Sequence, residues 1–156
     1  TNTVSEAIIG TPRFMSPEQI LDPPSIDPRS DLYALGAVGY YMLTGEFVFD
    51  GTSAIEICAQ HLSSEPELPS FRAEREVDPE LELLIMQCLE KKRDDRPSSA
   101  LEVAHRLDRL AIEAWSQDRA SEWWATVGQN IVIMRDRDPA VGSLATIQAA
   151  NMGADT

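Results

Sequence analysis

No charged residue occurs between Leu32 and Leu43, although 25% of the whole chain is charged. Leucine, tyrosine and alanine dominate the run, and its flanks supply both ends of a helix. Ser30 or Asp31 offers a short side-chain oxygen that can accept the orphan N–H groups of a first turn. Gly45 can take the left-handed conformation that closes a last turn. A surface helix shows one apolar stripe, whereas one that is apolar all round is buried. The run falls short of the roughly 20 apolar residues that cross a bilayer. It therefore predicts a central helix over residues 29–45 of a soluble domain, with neighbours on every side. Gly36 and Gly39 each weaken such a helix by about 1 kcal/mol. Together with Ala37 they predict the close approach of another backbone.

The rest of the chain reads as helices joined by proline-marked loops, a mainly α fold. Pro23, Pro24 and Pro28 interrupt regular structure ahead of the central helix. After a loop at 46–51, Thr52 or Ser53 starts a helix over 52–62, with Ile55, Cys58, Ala59 and Leu62 at helical spacing. Residues 63–78 are acidic, carry prolines and read as loop. Pro79 opens the next helix, and Leu81, Leu84, Ile85, Cys88 and Leu89 form its buried stripe. Lys91, Lys92 and Arg93 fall at its C-terminal end, where cations suit the helix dipole. Ser99 and Glu102 fit a capping box for a last helix, with Ala100, Val103, Ala104, Leu107, Leu110 and Ala111 on its inner face.

Bulk properties narrow the function classes. The chain has 156 residues and a net charge of −13. Nucleic acid and anionic membrane are therefore poor partners, while basic peptides are tolerated. Cys58 and Cys88 sit at apolar helical positions and read as reduced core residues. No signal peptide or membrane segment is legible, which suits a cytoplasmic location. His61 lies three residues after Cys58, but two ligands do not make a zinc site, so no metal site is expected.

Three segments in order carry a family resemblance. Gly10-Thr-Pro-Arg-Phe-Met-Ser-Pro-Glu18 looks like the end of a kinase activation segment, the Gly-Thr-x-x-Tyr-Met-Ala-Pro-Glu pattern. Asp31-Leu-Tyr-Ala-Leu-Gly36 with Leu43-Thr-Gly45 and Phe49-Asp-Gly51 resembles the helix called F in eukaryotic-type protein kinases. Cys88-Leu-Glu-Lys-Lys-Arg-Asp-Asp-Arg96-Pro97 is similar to the loop before the last helix of the C-lobe. The resemblance covers about residues 1–110, points to the serine/threonine branch, and has a bacterial style. It implies a partial kinase C-lobe over 1–112. A tryptophan-containing extension over 113–137 holds Trp115, Trp123 and Trp124, with a short helix over 118–127 and a strand over 131–134. A mobile tail covers 138–156. The chain begins at Thr1 inside a motif-bearing segment, and so reads as a piece of a longer protein.

What the resemblance implies for function is specific. Gly10, Thr11, Pro12, Arg13, Phe14, Met15, Ser16 and Pro17 would shape the pocket for the residue that follows the phosphoacceptor. Glu18 would pair with Arg96 as a structural ion pair. Asp31 would support the backbone of the catalytic loop. Thr1, Thr3 and Ser5 are candidate phosphosites. Two departures stand out. Ser16 replaces the commoner alanine, and Phe47-Val48-Phe49 replaces a proline-containing stretch. The parent enzyme would transfer the γ-phosphate of ATP, with Mg2+, to Ser or Thr of a protein or peptide substrate, and a regulator could dock on the 52–62 helix.

Phosphoryl transfer needs a glycine-rich loop, a strand lysine, a catalytic-loop Asp and Asn, and a metal-binding Asp-Phe-Gly. This sequence has look-alikes only. His105-Arg106-Leu107-Asp108 lacks the aspartate in place, Phe49-Asp50-Gly51 is a permutation, and Lys91 and Lys92 are the only lysines. No catalytic residue is expected in this chain, and none of it is expected to bind ATP alone. The alternative readings are a pseudokinase or scaffold-type interaction module, and an unrelated helical interaction domain.

Overall fold

The computed structural model describes residues 11–112 and 115–128, which are helical with no strand among them. These residues divide after Leu110 into two compact units. The first runs through a short 3-10 turn (Pro12–Phe14), α1 (Pro17–Leu21), a second 3-10 turn (Pro23–Ser25), α2 (Arg29–Thr44), α3 (Ala54–Ser63), α4 (Pro69–Arg72), α5 (Pro79–Cys88), a third 3-10 turn (Arg93–Asp95) and α6 (Ala100–Asp108). The second holds α7 (Gln117–Trp123), which widens into a π turn at Trp124–Gly128. Thr1, Thr3, Ser5 and Gly10, the 131–134 strand and the 138–156 tail lie outside the described residues.

The central helix is α2, but its cap is neither Ser30 nor Asp31. Asp27 takes that role: its carboxylate accepts the Arg29 N–H at 2.8 Å and its carbonyl accepts the Ser30 N–H at 2.9 Å. Pro28 already has helical backbone angles, so the helix starts earlier than the Ser-Asp pair implies. Ser30 is left free to bond elsewhere. At the other end Gly45 has φ 74°, and its N–H returns to the Tyr41 carbonyl at 2.8 Å. Only glycine takes that angle without steric cost.

Tyr33, Ala37 and Tyr40 lie one to two turns apart on α2 and are fully buried. They pack with Val48, Phe49, Ile85 and Leu89. Leu32 joins Leu84, Cys88 and Val103 in a second cluster. The expected burial on every side does not hold. Leu35 is 46% exposed, Met42 is 79% exposed, and Val38 and Tyr41 are also open. The other short helices of this unit cover only part of the surface of α2. An apolar pattern shows that a face favours burial; it does not supply the neighbour.

Where α2 is covered, it is covered closely. A methyl group built on Gly36 would lie 2.7 Å from the Cys88 Cβ and 3.3 Å from the Ile85 carbonyl oxygen. One built on Gly39 would run into the Ile85 side chain. The glycines therefore let α5 pack directly against α2, and this contact outweighs their poor helix propensity.

The remaining helices keep their places, but α3 turns a different face inward and α6 a narrower one. In α3 the buried residues are Ile57, Cys58 and His61, whereas Ile55 is 75% exposed and Ala59 is open. Burying His61 rotates the stripe. The α5 stripe of Leu84, Ile85, Cys88 and Leu89 is buried and Leu81 packs at its edge. Asp78 caps α5 through the Glu80 and Leu81 N–H groups, with Pro79 at the first helical position. In α6 only Val103 is buried, while Ala104 and Leu107 are exposed. Its start is half a capping box. Ser99 accepts the Glu102 N–H at 3.2 Å, but the Glu102 carboxylate turns to the backbone and hydroxyl of Ser98. The segment read as continuous loop contains α4, whose Pro69 opens a single turn. Cys58 and Cys88 are both buried and free.

In the second unit, Ser116 caps α7 by accepting the Arg119 N–H at 3.2 Å. Trp123 and Trp124 meet edge to face at 5.1 Å, and the Arg119 guanidinium lies 5.1 Å from the Trp115 ring centre.

The glycine contacts make a direct prediction. Gly36→Ala gains helix propensity but forces Cys88 and a backbone carbonyl apart. Overpacking of this kind costs about 1–3 kcal/mol. A lower urea midpoint than that of the unmodified protein is expected. An equal or higher midpoint would show that α5 is free to move away.

Candidate functional site

The site is built outward from Arg96. This residue is 4% exposed, and Glu18, 78 positions earlier in sequence, is 8% exposed. Nη1 donates to Glu18 Oε1 at 2.7 Å and Nη2 to Oε2 at 2.9 Å, a two-pronged pair. The other N–H groups donate to the carbonyls of Glu90, Arg29 and Lys91 at 2.8, 3.0 and 3.2 Å. A guanidinium has five N–H groups, and all of these are used. Ser30 donates its hydroxyl to Glu18 Oε1 at 2.5 Å. Burial by itself pushes the Glu18 carboxyl up, but the hydrogen bonds from Arg96 and Ser30 outweigh it and hold the group at about 2. The Glu18 carboxyl is therefore ionised at neutral pH, and the pair ties α1 to the start of α2 and to the segment after α5.

Directly before Glu18 runs the segment 11–17. Thr11 is exposed, Pro12, Arg13, Phe14 and Met15 are half-buried, and Ser16 and Pro17 are buried. The turn closes by backbone bonds from Phe14 to Thr11 at 3.1 Å and from Met15 to Pro12 at 3.2 Å. Ser16 donates both its backbone N–H and its hydroxyl to Gln19 Oε1, at 2.8 and 3.0 Å. Thus serine, at a position where alanine is commoner in the family it resembles, ties the segment to the first turn of α1. Sideways, Arg13 donates to Asp50 at 2.9 Å and lies 4.0 Å over the Phe47 ring. Phe47 in turn stacks on Tyr41 at 4.9 Å and meets the Phe14 ring edge-on at 5.9 Å.

Asp31 stands exposed in the first turn of α2. Beside it, Asp27 gathers Arg29 and Arg93, which donate to its carboxylate at 2.8 and 3.2 Å. Hydrogen bonds from Arg29 bring the Asp27 carboxyl down to about 2. Arg93 also donates to the Ser25 carbonyl. Two of the three cations after α5 therefore have partners other than the helix dipole. Arg93 anchors the turn before α2, and Lys91 enters the core.

That core contains polar groups which helical periodicity does not expose. His61 is fully buried, and its Nδ1 lies 2.8 Å from the Tyr33 hydroxyl. Its ring meets Tyr33 and Phe49 edge-on. Burial, and then the charge of Lys91, lower its pKa to about 4, so the imidazole is neutral at pH 7. The Lys91 ammonium is 4.6 Å above the Phe49 ring centre, and burial brings it down to about 8. The spacing of His61 and Cys58 serves the core. Among the described residues no group of three or more His, Cys, Asp or Glu could hold a metal ion.

Comparison with known proteins agrees with the helical frame. Residues 1–107 match the model of the protein kinase domain. The chain is 40% identical over 108 residues to the serine/threonine-protein kinase PknB of Mycolicibacterium smegmatis, covering 69% of this chain and 17% of that protein. It is 42% identical over 94 residues to the serine/threonine-protein kinase pkn3 of Myxococcus xanthus, covering 60% of this chain and 17% of that protein. PknB of Mycobacterium tuberculosis is 38% identical over 108 residues, again 69% of this chain and 17% of the relative. The chain thus spans about 17% of the length of these curated relatives.

The buried pair predicts both a mutational and a pH response. Arg96→Ala leaves Glu18 buried without its partner and should cost about 3–5 kcal/mol. Arg96→Lys should not restore the loss, because an ammonium cannot reproduce the planar fork. The Glu18 pKa is lowered on folding from 4.5 to about 2. Its stabilisation is therefore complete above pH 4.5 and is lost as the pH falls towards 2. Denaturant midpoints measured through that window should fall more steeply in the unmodified protein than in Glu18→Gln. Parallel curves would remove the assigned role of the carboxylate.

Proposed function

The chain belongs to the protein kinase domain family, and on that premise we propose that it forms the substrate side of a serine/threonine protein kinase. The enzyme transfers the γ-phosphate of ATP to serine or threonine of a protein or peptide. The observation that carries this reading is the segment 11–17, partly exposed at Thr11 and anchored at its base by Glu18 and Arg96. A loop that must receive a peptide in one geometry gains from such a fixed foundation, because a rigid frame avoids an ordering cost on binding. Thr11 to Pro17 form the wall met by the residue after the phosphoacceptor. Asp31, exposed at the start of α2, supports the backbone of the catalytic loop in the complete domain. Thr1, Thr3 and Ser5 are the phosphoacceptors that regulate the segment.

ATP and Mg2+ supply the phosphoryl group and neutralise its charge when they are bound. The residues described here do not fit that role. Lys91 is turned onto Phe49, and no carboxylate cluster able to hold a metal is present among the described residues. The contribution of this chain is to bind and orient the peptide. The exposed side of α3, with Ile55 and Glu56, suits a regulator or a substrate flank.

The test is transfer of labelled phosphate by the complete catalytic domain to peptides with a single Ser, Thr or Tyr. Incorporation on Ser and Thr and none on Tyr is expected. A folded domain that binds these peptides without transferring phosphate would favour a scaffold instead.

A further inference from the structure

Arg13 is the one charged side chain between Thr11 and Pro17. Its guanidinium is already engaged, by Asp50 at 2.9 Å and by the Phe47 ring at 4.0 Å. Both partners are themselves held. Asp50 Oδ1 also accepts the Gly51 N–H at 2.9 Å, and the Asp50 carbonyl accepts Gln60 Nε2 from α3 at 2.7 Å. Phe47 stacks on Tyr41, an α2 residue, with 25° between the rings. A cation on the substrate side is thus neutralised by the carboxylate of a residue held at two points, one at Oδ1 and one at its backbone carbonyl.

We propose that Asp50 is a positioning residue that sets specificity through Arg13: it masks the one positive charge of the segment 11–17, so that the residue after the phosphoacceptor meets a neutral wall. The proposal rests on the reading of this segment as the substrate side. Its second support is Phe47. That aromatic ring, in a stretch that contains proline in the family it resembles, gives the guanidinium a flat apolar seat. The seat keeps Arg13 in place even when the carboxylate charge is removed. Removing that charge while keeping the shape of the side chain, as in Asp50→Asn, leaves an uncompensated cation facing the peptide. An acidic residue after the phosphoacceptor would then be attracted and a basic one repelled.

The experiment uses the complete catalytic domain and three peptides that differ only in the residue after the acceptor serine: Leu, Asp or Lys. The quantity read is kcat/KM for the Asp or Lys peptide divided by that for the Leu peptide within the same variant, so that a general loss of activity cancels. In D50N the Asp-to-Leu ratio should rise by about two- to fivefold, the range of an exposed charge pair. The Lys-to-Leu ratio should fall. Adding R13Q to D50N should return both ratios to those of the unmodified enzyme. The Asp-to-Leu gain should also shrink at high salt. If D50N turns over too slowly, the same ratios are read from dissociation constants by fluorescence anisotropy. Ratios unchanged by D50N, in a domain that phosphorylates the Leu peptide, overturn the proposal alone. A folded unmodified domain that phosphorylates none of the three overturns the kinase reading, and this proposal with it.

Discussion

One buried guanidinium sets the geometry of the first unit. Arg96 gives every N–H to an acceptor: two to the Glu18 carboxylate and three to the carbonyls of Arg29, Glu90 and Lys91. Taking such charges out of water is costly, and an apolar replacement of both partners is often no less stable. What the pair supplies is direction. A two-pronged contact admits one orientation of the two groups. It therefore fixes α1 against the start of α2 and against the chain after α5, three pieces far apart in sequence.

The apolar core is organised around the same point. Tyr33 lies beneath Arg96, whose guanidinium carbon is 4.9 Å from the ring centre, and bonds to His61 from α3. His61 meets Phe49, and Phe49 carries the Lys91 ammonium. Polar and apolar contacts thus interlock on one side of α2, while the glycines on that helix let α5 come close. Neutral His61 is consistent with its burial, since a charged imidazole here would have to leave water beside a lysine.

The segment 11–17 inherits its order from this frame. Its base is the ion pair, its first helical turn is joined through Ser16 and Gln19, and its side rests on Phe47 and Asp50. The two departures from the kinase pattern, Ser16 and Phe47, therefore both act as supports for the same short stretch. A rigid scaffold beneath a partly exposed loop is the usual arrangement for residues that recognise a ligand.

Much of the architecture was legible because it is written locally. The helical class, the central helix with its glycine stop, the α5 stripe and the proline starts each depend on a few neighbouring residues. The protein kinase resemblance rested on three short motifs, and the matching family model covers residues 1–107. The misreadings have a common cause. The cap moved to Asp27, the inner face of α3 rotated to admit His61, and Lys91 entered the core instead of facing a helix end. The open face of α2, with Met42 and Leu35, was hidden for the same reason. Propensity, capping and periodicity act over a turn or two of chain, so the sequence by itself determined which segments are helical and where glycine must stand. Which faces are covered, and which polar side chains find partners 28, 37 or 78 residues away, was decided only by the tertiary structure, because those contacts exist only once the helices have packed.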